Sequence, residues 1–186
     1  MGNRGILHDD QKTVQKTHAH QNWVSCALEW KGKRQPLMKP GAYTQLFFLD
    51  DATALSAGHR PCALCRRDRY TEFTKLWVEM YGAPEDGQSL PQTIDRTLHA
   101  ARISRRQKVT FEADLDDLPD GTFVSKGTDA YLKWSGTCFR WGFDGYAEAQ
   151  KNLSGVVSVL TPQPLIPVLQ AGYRPSVHES LKRLTA

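Results

Sequence analysis

Ala57-Gly58-His59-Arg60-Pro61-Cys62-Ala63-Leu64-Cys65-Arg66-Arg67-Asp68 holds the densest chemistry in the chain. The Cys62-Ala-Leu-Cys65 spacing lets two thiolates of one turn reach a single tetrahedral ion. A redox pair is the rival reading, but redox C-x-x-C motifs belong beside a βαβ pattern, at a helix opening that follows a strand. Here the preceding Ala57-Gly58-His59-Arg60-Pro61 reads as a helix exit and a turn, with Gly in a left-handed cap. The spacing therefore favours a metal.

Upstream of this stretch, residues 1–20 are polar and carry His8, His18 and His20, an irregular arm. Residues 22–30 read as a strand, Lys31-Gly32-Lys33 as a turn, and residues 35–38 as a strand returning in a hairpin. Asp50-Asp51 is a helix start, and residues 52–57 form a short helix closed by Gly58. Downstream, the spacing of Tyr70, Phe73, Trp77 and Met80 predicts an amphipathic helix over about residues 66–81. Residues 83–91 form a Gly/Pro/Ser-containing loop and the internal boundary, dividing residues 1–82 from residues 83–186, which pack as one body. Ser89 and Pro91 open a second helix whose inner face is Ile94, Leu98 and Ala101. From about residue 107 the pattern alternates with period two. Asp120-Gly121, Lys126-Gly127, Ser135-Gly136 and Asp144-Gly145 are turn signals suited to short antiparallel strands. Residues 156–160 make a further strand, and residues 162–170 a short helix or extended segment. Ala57-Gly58-His59-Arg60-Pro61 is echoed by Ala171-Gly172-Tyr173-Arg174-Pro175, which marks two similar helix exits. The fold class is α+β: a zinc-knuckle (treble-clef-like) module of hairpin, short helix, C-x-x-C and helix, followed by a mostly antiparallel β unit.

Composition agrees with a globular chain. Of 186 residues, 40% are hydrophobic and 24% charged, with a net charge of only +4, so the sequence lies outside the disordered class. No apolar run approaches the roughly 20 residues of a membrane span. The first residues show no basic-then-apolar signal pattern, so a cytoplasmic protein is the expectation. The four cysteines, Cys26, Cys62, Cys65 and Cys138, are then not a disulfide framework.

The stretch from Phe47 to Asp68 resembles the N-terminal metal-binding domain of the Ada DNA-repair proteins. The shared elements are an aromatic strand, a short Ala-rich helix, and Ala-Gly-aromatic-Arg-Pro-Cys-x-x-Cys followed by basic residues, with His59 in the aromatic place. The resemblance covers about residues 22–70. It implies a structural zinc held by four cysteines, with DNA-backbone contacts nearby. Cys26 lies about where the first cysteine of the family's upstream C-x3-C pair would be, the methyl acceptor in that family. The second position is Trp30, which cannot ligate. The zinc set is then Cys62, Cys65 and Cys26 with a fourth donor. His59 is the leading candidate, and His8, His20 and Cys138 are the alternatives. Equally, His59 is read as a packed aromatic stand-in, and Cys138 as a buried small hydrophobe.

Arg60, Arg66, Arg67 and Arg69 surround the C-x-x-C with Asp68 the only acid among them, and Arg102, Arg105, Arg106 and Lys108 form a second basic cluster. Guanidinium groups at a zinc knuckle grip phosphates through forked hydrogen bonds, so nucleic acid, with DNA favoured, is the expected partner. Solvated charged faces with local ion pairs give the same pattern. Asp95 and His99, four apart on the second helix, share a face on which a carboxylate can orient an imidazole. They are the candidate catalytic pair of an alternative reading, a hydrolase or nuclease acting on nucleic acid. A third reading is a zinc-stabilised protein-interaction module.

Overall fold

A computed structural model describes every residue except Lys33, Gln35, Lys151 and Ala186. In chain order the elements are β1 (Gly2–Asn3), β2 (Val24–Ser25), α1 (Asp51–Ser56), β3 (Arg60–Pro61), α2 (Arg67–Tyr81), α3 (Leu90–Arg102), β4 (Ile103–Ser104), β5 (Gln107–Lys108), β6 (Phe111–Asp114), β7 (Phe123–Lys126), β8 (Asp129–Trp134), β9 (Thr137–Gly142), β10 (Gly145–Gln150), β11 (Val156–Val159), α4 (Leu165–Gln170) and α5 (Glu179–Thr185). The architecture is α+β, built on a six-stranded antiparallel sheet of order β10-β9-β8-β7-β11-β6. No helix among the described residues is long and apolar enough to cross a membrane.

Both faces of the large sheet are covered. Successive residues of a strand point to opposite faces, and Phe123, Leu132, Phe139 and Tyr146 line one face beneath Ala52 of α1 and Leu181 of α5. Val124, Tyr131, Cys138 and Val159 line the other with Leu115 and Leu118. The cross-strand partners Phe123–Leu132, Leu132–Phe139 and Val124–Tyr131 keep each set in register. A one-residue slip would turn both sets over. Cys138 is thus a core side chain.

The helices form a second core. Leu55, Phe73, Trp77, Ile94, Leu98, Leu165, Val168, Leu169 and Tyr173 bring together α1, α2, α3 and α4, so residues on both sides of the 83–91 loop share it. Full burial of each such side chain contributes about 1.5–3 kcal/mol. In α2, Phe73 and Trp77 are buried, while Met80, in the last turn of the helix, is exposed.

Asp50 joins the two cores. One carboxylate oxygen caps α1 by accepting from Thr53 N–H at 2.8 Å. The other accepts from the Tyr146 hydroxyl at 2.7 Å and from His178 N–H at 3.0 Å. The two echoed pentapeptides are two copies of one helix exit. His59 N–H donates to Ala54 C=O at 2.9 Å, and Tyr173 N–H to Val168 C=O at 3.1 Å, the six-to-one bond of a Schellman cap. Gly58 at φ 80° and Gly172 at φ 105° supply the left-handed step. Each exit delivers a ring into the interior, since His59 and Tyr173 are both fully buried.

The pairing expected between residues 22–30 and 35–38 falls partly on Lys33 and Gln35, outside the described residues. Residues 22–30 themselves are all described, and of the strand expected there only Val24–Ser25 forms, as β2, which pairs antiparallel with β1 and parallel with β3.

Candidate metal centre and basic surface

The β2–β3 pairing builds the centre. Val24 lies opposite Arg60 and Ser25 opposite Pro61. Cys62 N–H donates to Ser25 C=O at 3.0 Å, and Cys26 N–H to Met1 C=O at 2.6 Å. The residue after each short strand is therefore a cysteine, and the parallel register sets them side by side. Arg66 N–H reaches back to Cys62 C=O at 3.1 Å, closing the turn that brings Cys65 round. The sulfurs of Cys26, Cys62 and Cys65 all lie within 4.8 Å of one another, and each residue is half-buried. Ala27 N–H donates to Cys65 Sγ at 3.3 Å, a bond that favours a sulfur carrying negative charge. The Cys62 thiol is held below its ordinary value by a hydrogen bond from Cys26 and by the amides of Cys65 and Leu64. The same sharing pushes Cys26 up, and burial pushes Cys65 up. Three sulfurs at this spacing could hold a metal ion. A tetrahedral ion with Zn–S near 2.3 Å wants sulfurs about 3.8 Å apart, a spacing inside the 4.8 Å limit within which these three lie.

None of the four candidates for the fourth donor joins this group among the described residues. His59 is fully buried between Phe48 and Trp23, at ring separations of 4.7 and 5.5 Å. Its Nε2 accepts from Arg4 Nε at 3.1 Å, and burial, with Arg4 and Arg102 nearby, keeps its pKa well below the usual imidazole range. His8 Nδ1 lies 2.6 Å from the Thr44 hydroxyl. His20 is half-buried outside the sulfur group, and Cys138 sits in the large sheet's core. A tetrahedral ion on these three sulfurs would take its fourth donor from outside the group.

The basic surface differs from the sequence expectation in a specific way. Arg60 is 5% exposed and forms a two-pronged bond with the buried Asp95, Nε to Oδ1 at 2.8 Å and Nη2 to Oδ2 at 2.7 Å. It is a core ion pair and has no phosphate-facing surface. Arg66 forks onto Asp51 and reaches the Ser25 hydroxyl at 3.1 Å. Arg69 pairs with Glu72 and lies 4.5 Å over the Tyr173 ring. Of the four arginines near the knuckle, only Arg67 is exposed with no ion pair among the described residues. Arg102 is buried, whereas Arg105 and Arg106 stand exposed at the tip of the β4–β5 hairpin.

The Asp95–His99 pair does not form. Both carboxylate oxygens of Asp95 are taken by Arg60, and His99 Nδ1 lies 3.3 Å from Arg102 Nη2. Shared helical spacing put the two on one side of α3, but the stronger partner for a buried carboxylate is the guanidinium on β3.

Sequence reading missed Trp23, Arg4 and His18. The guanidinium carbons of Arg4 and Arg102 sit 3.8 and 3.9 Å from the Trp23 ring centroid. His18 packs on Trp23 at 5.6 Å and on His99 at 5.1 Å. The arm of residues 1–20 has no periodicity that would have signalled these contacts.

Comparison with known proteins finds no matching family model, no matching curated protein and no matching solved structure.

Proposed function

We propose that this chain is a zinc-stabilised nucleic-acid-binding protein whose N-terminal part is a treble-clef-like knuckle similar to the Ada metal-binding domain. The observation that carries the reading is the convergence of Cys26 on the C-x-x-C through a parallel strand pair. Cys26, Cys62 and Cys65 would hold the ion, which supplies folding energy because the site exists only in the folded chain. Nucleic acid, with DNA favoured, is engaged through the guanidinium groups of Arg67, Arg105 and Arg106, the exposed arginines of the two clusters that carry no carboxylate partner among the described residues. Service in DNA repair or a damage response follows from the Ada resemblance, as does zinc over other thiophilic ions. The absence of an Asp95–His99 contact removes the support for a hydrolase reading built on that pair.

The test has two arms. Elemental analysis of the intact protein should give about one zinc per chain, lost in Cys26→Ser, Cys62→Ser and Cys65→Ser and retained in Cys138→Ser. Fluorescence anisotropy with a labelled DNA duplex should show affinity falling linearly on a log–log salt axis. Arg67→Gln and Arg105→Gln should each weaken binding and flatten that slope by about one contact. Zinc in the protein with no DNA or RNA binding at any salt would replace this reading with the protein-interaction module. That second reading draws on an apolar cavity of about 570 Å³ beside the exposed Phe47 and Phe143.

A further inference from the structure

A cleft of about 380 Å³ opens between the C-terminal end of α1 and the β4–β5 hairpin, with Arg4, Thr17, Trp23, Arg102, Arg106 and Lys108 in its wall. Its four cations have no carboxylate partner among the described residues' ion pairs. Three of them instead converge on the carbonyls where α1 ends. Lys108 Nζ donates to Ser56 C=O at 2.7 Å, Arg4 Nη2 to Ala57 C=O at 3.3 Å, and Arg102 Nη1 to Gly58 C=O.

Capping α1 does not account for this arrangement. A helix end offers about half a negative charge at most, and α1 is only six residues long. Three cations against that half charge leave a large positive excess in a partly buried space. Donors are also left over. Arg102 Nε is buried with no partner, on a side chain that is 3% exposed. Lys108 uses one of its three N–H groups, and the fork of Arg106 makes no protein bond among the described residues.

A second observation points to the same place. Arg105 and Arg106 occupy both central positions of the two-residue turn between β4 and β5, with φ of 47° and 68°. A type I′ turn wants Asn-Gly there. Two arginines in left-handed backbone are disfavoured, and such disfavoured residues cluster at functional sites. Burial brings Arg4 down to about 10; burial, with repulsion from Arg4 and Arg60 against the pull of Asp95, brings Arg102 to about 9; and burial with repulsion from Arg4 brings Lys108 to about 8. All three stay charged at neutral pH, and each would be relieved by an anion.

We propose that this cleft is a binding site for a phosphate monoester dianion, held by Lys108, Arg106 and Arg102, with Arg4 and the Trp23 ring fixing the guanidinium planes. The volume takes a phosphate and part of the group that carries it. The guanidinium carbons of Arg4 and Arg102 each lie within 4 Å of the Trp23 ring centroid. The convergent cations make the phosphate the group this cleft recognises. The carrier is either a free mononucleotide or the phosphorylated end of a nucleic acid. The site does not depend on the metal, and it deepens the nucleic-acid reading only in the second case.

The test uses the full zinc-loaded chain. Inorganic phosphate should bind in isothermal titration and raise the melting temperature. Lys108→Gln should weaken it about tenfold, Arg106→Gln should weaken it measurably, and Lys126→Gln, an exposed cation at the end of β7, should leave it unchanged. Each variant is compared by melting temperature without phosphate, which separates site loss from misfolding. Competition by a 5′-phosphorylated oligonucleotide, with no competition by its 5′-hydroxyl counterpart, supports the site and names a nucleic-acid end. Competition by a 5′-mononucleotide at equal strength supports it and names a free nucleotide. No heat and no melting shift at 10 mM phosphate overturns the proposal, as does binding that survives intact in both Lys108→Gln and Arg106→Gln. A wild-type chain that binds unphosphorylated duplex and does not bind phosphate rejects the cleft alone. The converse rejects the duplex-binding surface alone.

Discussion

Asp95→Ala should be among the most damaging single substitutions outside the apolar cores. The Arg60 and Asp95 side chains are 6% and 8% exposed and are joined by two parallel bonds. Removing the carboxylate strands a guanidinium whose remaining protein bond is to Pro61 C=O at 3.3 Å. Breaking one side of such a pair costs about 3–5 kcal/mol. For a chain of this size that corresponds to a fall in Tm of roughly 6–20 °C, at about 2–4 °C per kcal/mol. The damage should reach the sulfur site, because Arg60 is half of the β3 strand that positions Cys62. The double variant Arg60→Met/Asp95→Leu, which replaces the pair by apolar groups of similar length, should recover most of the loss. Urea unfolding of wild type, both singles and the double, all zinc-loaded, gives a double-mutant cycle with a coupling term of several kcal/mol. A cost below about 1 kcal/mol for Asp95→Ala would refute the reasoning, since it would mean that water or another anion already serves Arg60.

Four further outcomes are expected. Gly58→Ala should destabilise by about 1–2 kcal/mol from the left-handed backbone alone. An added Cβ would also stand 2.4 Å from Arg102 Cδ, so the measured loss in urea should exceed that figure. His59 is buried with its pKa depressed, so the folded state resists a proton that the unfolded chain accepts. Stability should be full above about pH 6.5 and erode as pH falls below it. The urea midpoint at pH 5.5 should therefore lie below that at pH 7.5, with a smaller difference in His59→Phe. Saturating zinc at about a hundred times its Kd should add about 2.7 kcal/mol over the chelated protein, read as a chelator-dependent drop in Tm that Cys65→Ser abolishes. Arg105→Asn/Arg106→Gly gives the β4–β5 turn its preferred residues. It should stabilise the chain by up to about 1–2 kcal/mol while weakening phosphate binding, and equal affinity before and after would argue against Arg106 in the cleft.

The parts of the fold that were legible in the sequence are those governed by near neighbours. Ser135-Gly136 joins β8 to β9, and Asp50 caps α1 through Thr53, three residues on. The amphipathic spacing of Phe73 and Trp77 is likewise local, and both are buried. What could not be read was charge cancellation at a distance. Arg60 and Arg66 look like free cations beside Asp68, but their acids are Asp95 and Asp51, brought in by α3 and α1. The same blindness made Asp95 and His99 look like a pair. The N-terminal arm has no periodicity, so nothing in it announced that Arg4 and His18 would wrap Trp23. Cys26 could be placed near the C-x-x-C only through the family resemblance, because a two-residue parallel pair leaves no hydrophobic signature of its own.

That brevity has a consequence for motion. The sheet tying residues 1–25 to the rest of the chain consists of three strands of two residues each, β1, β2 and β3. Such a ladder has few hydrogen bonds to resist fraying, and sub-global opening begins where local stability is lowest. An ion bridging Cys26 to Cys62 and Cys65 would clamp the middle strand to its neighbour at the point where the ladder is thinnest. Amide hydrogen exchange at Ser25, Cys26 and Cys62 would then report occupancy of the sulfur site directly, slow when it is filled and fast when it is stripped, while the amides of β7 and β8 exchange at one rate in both.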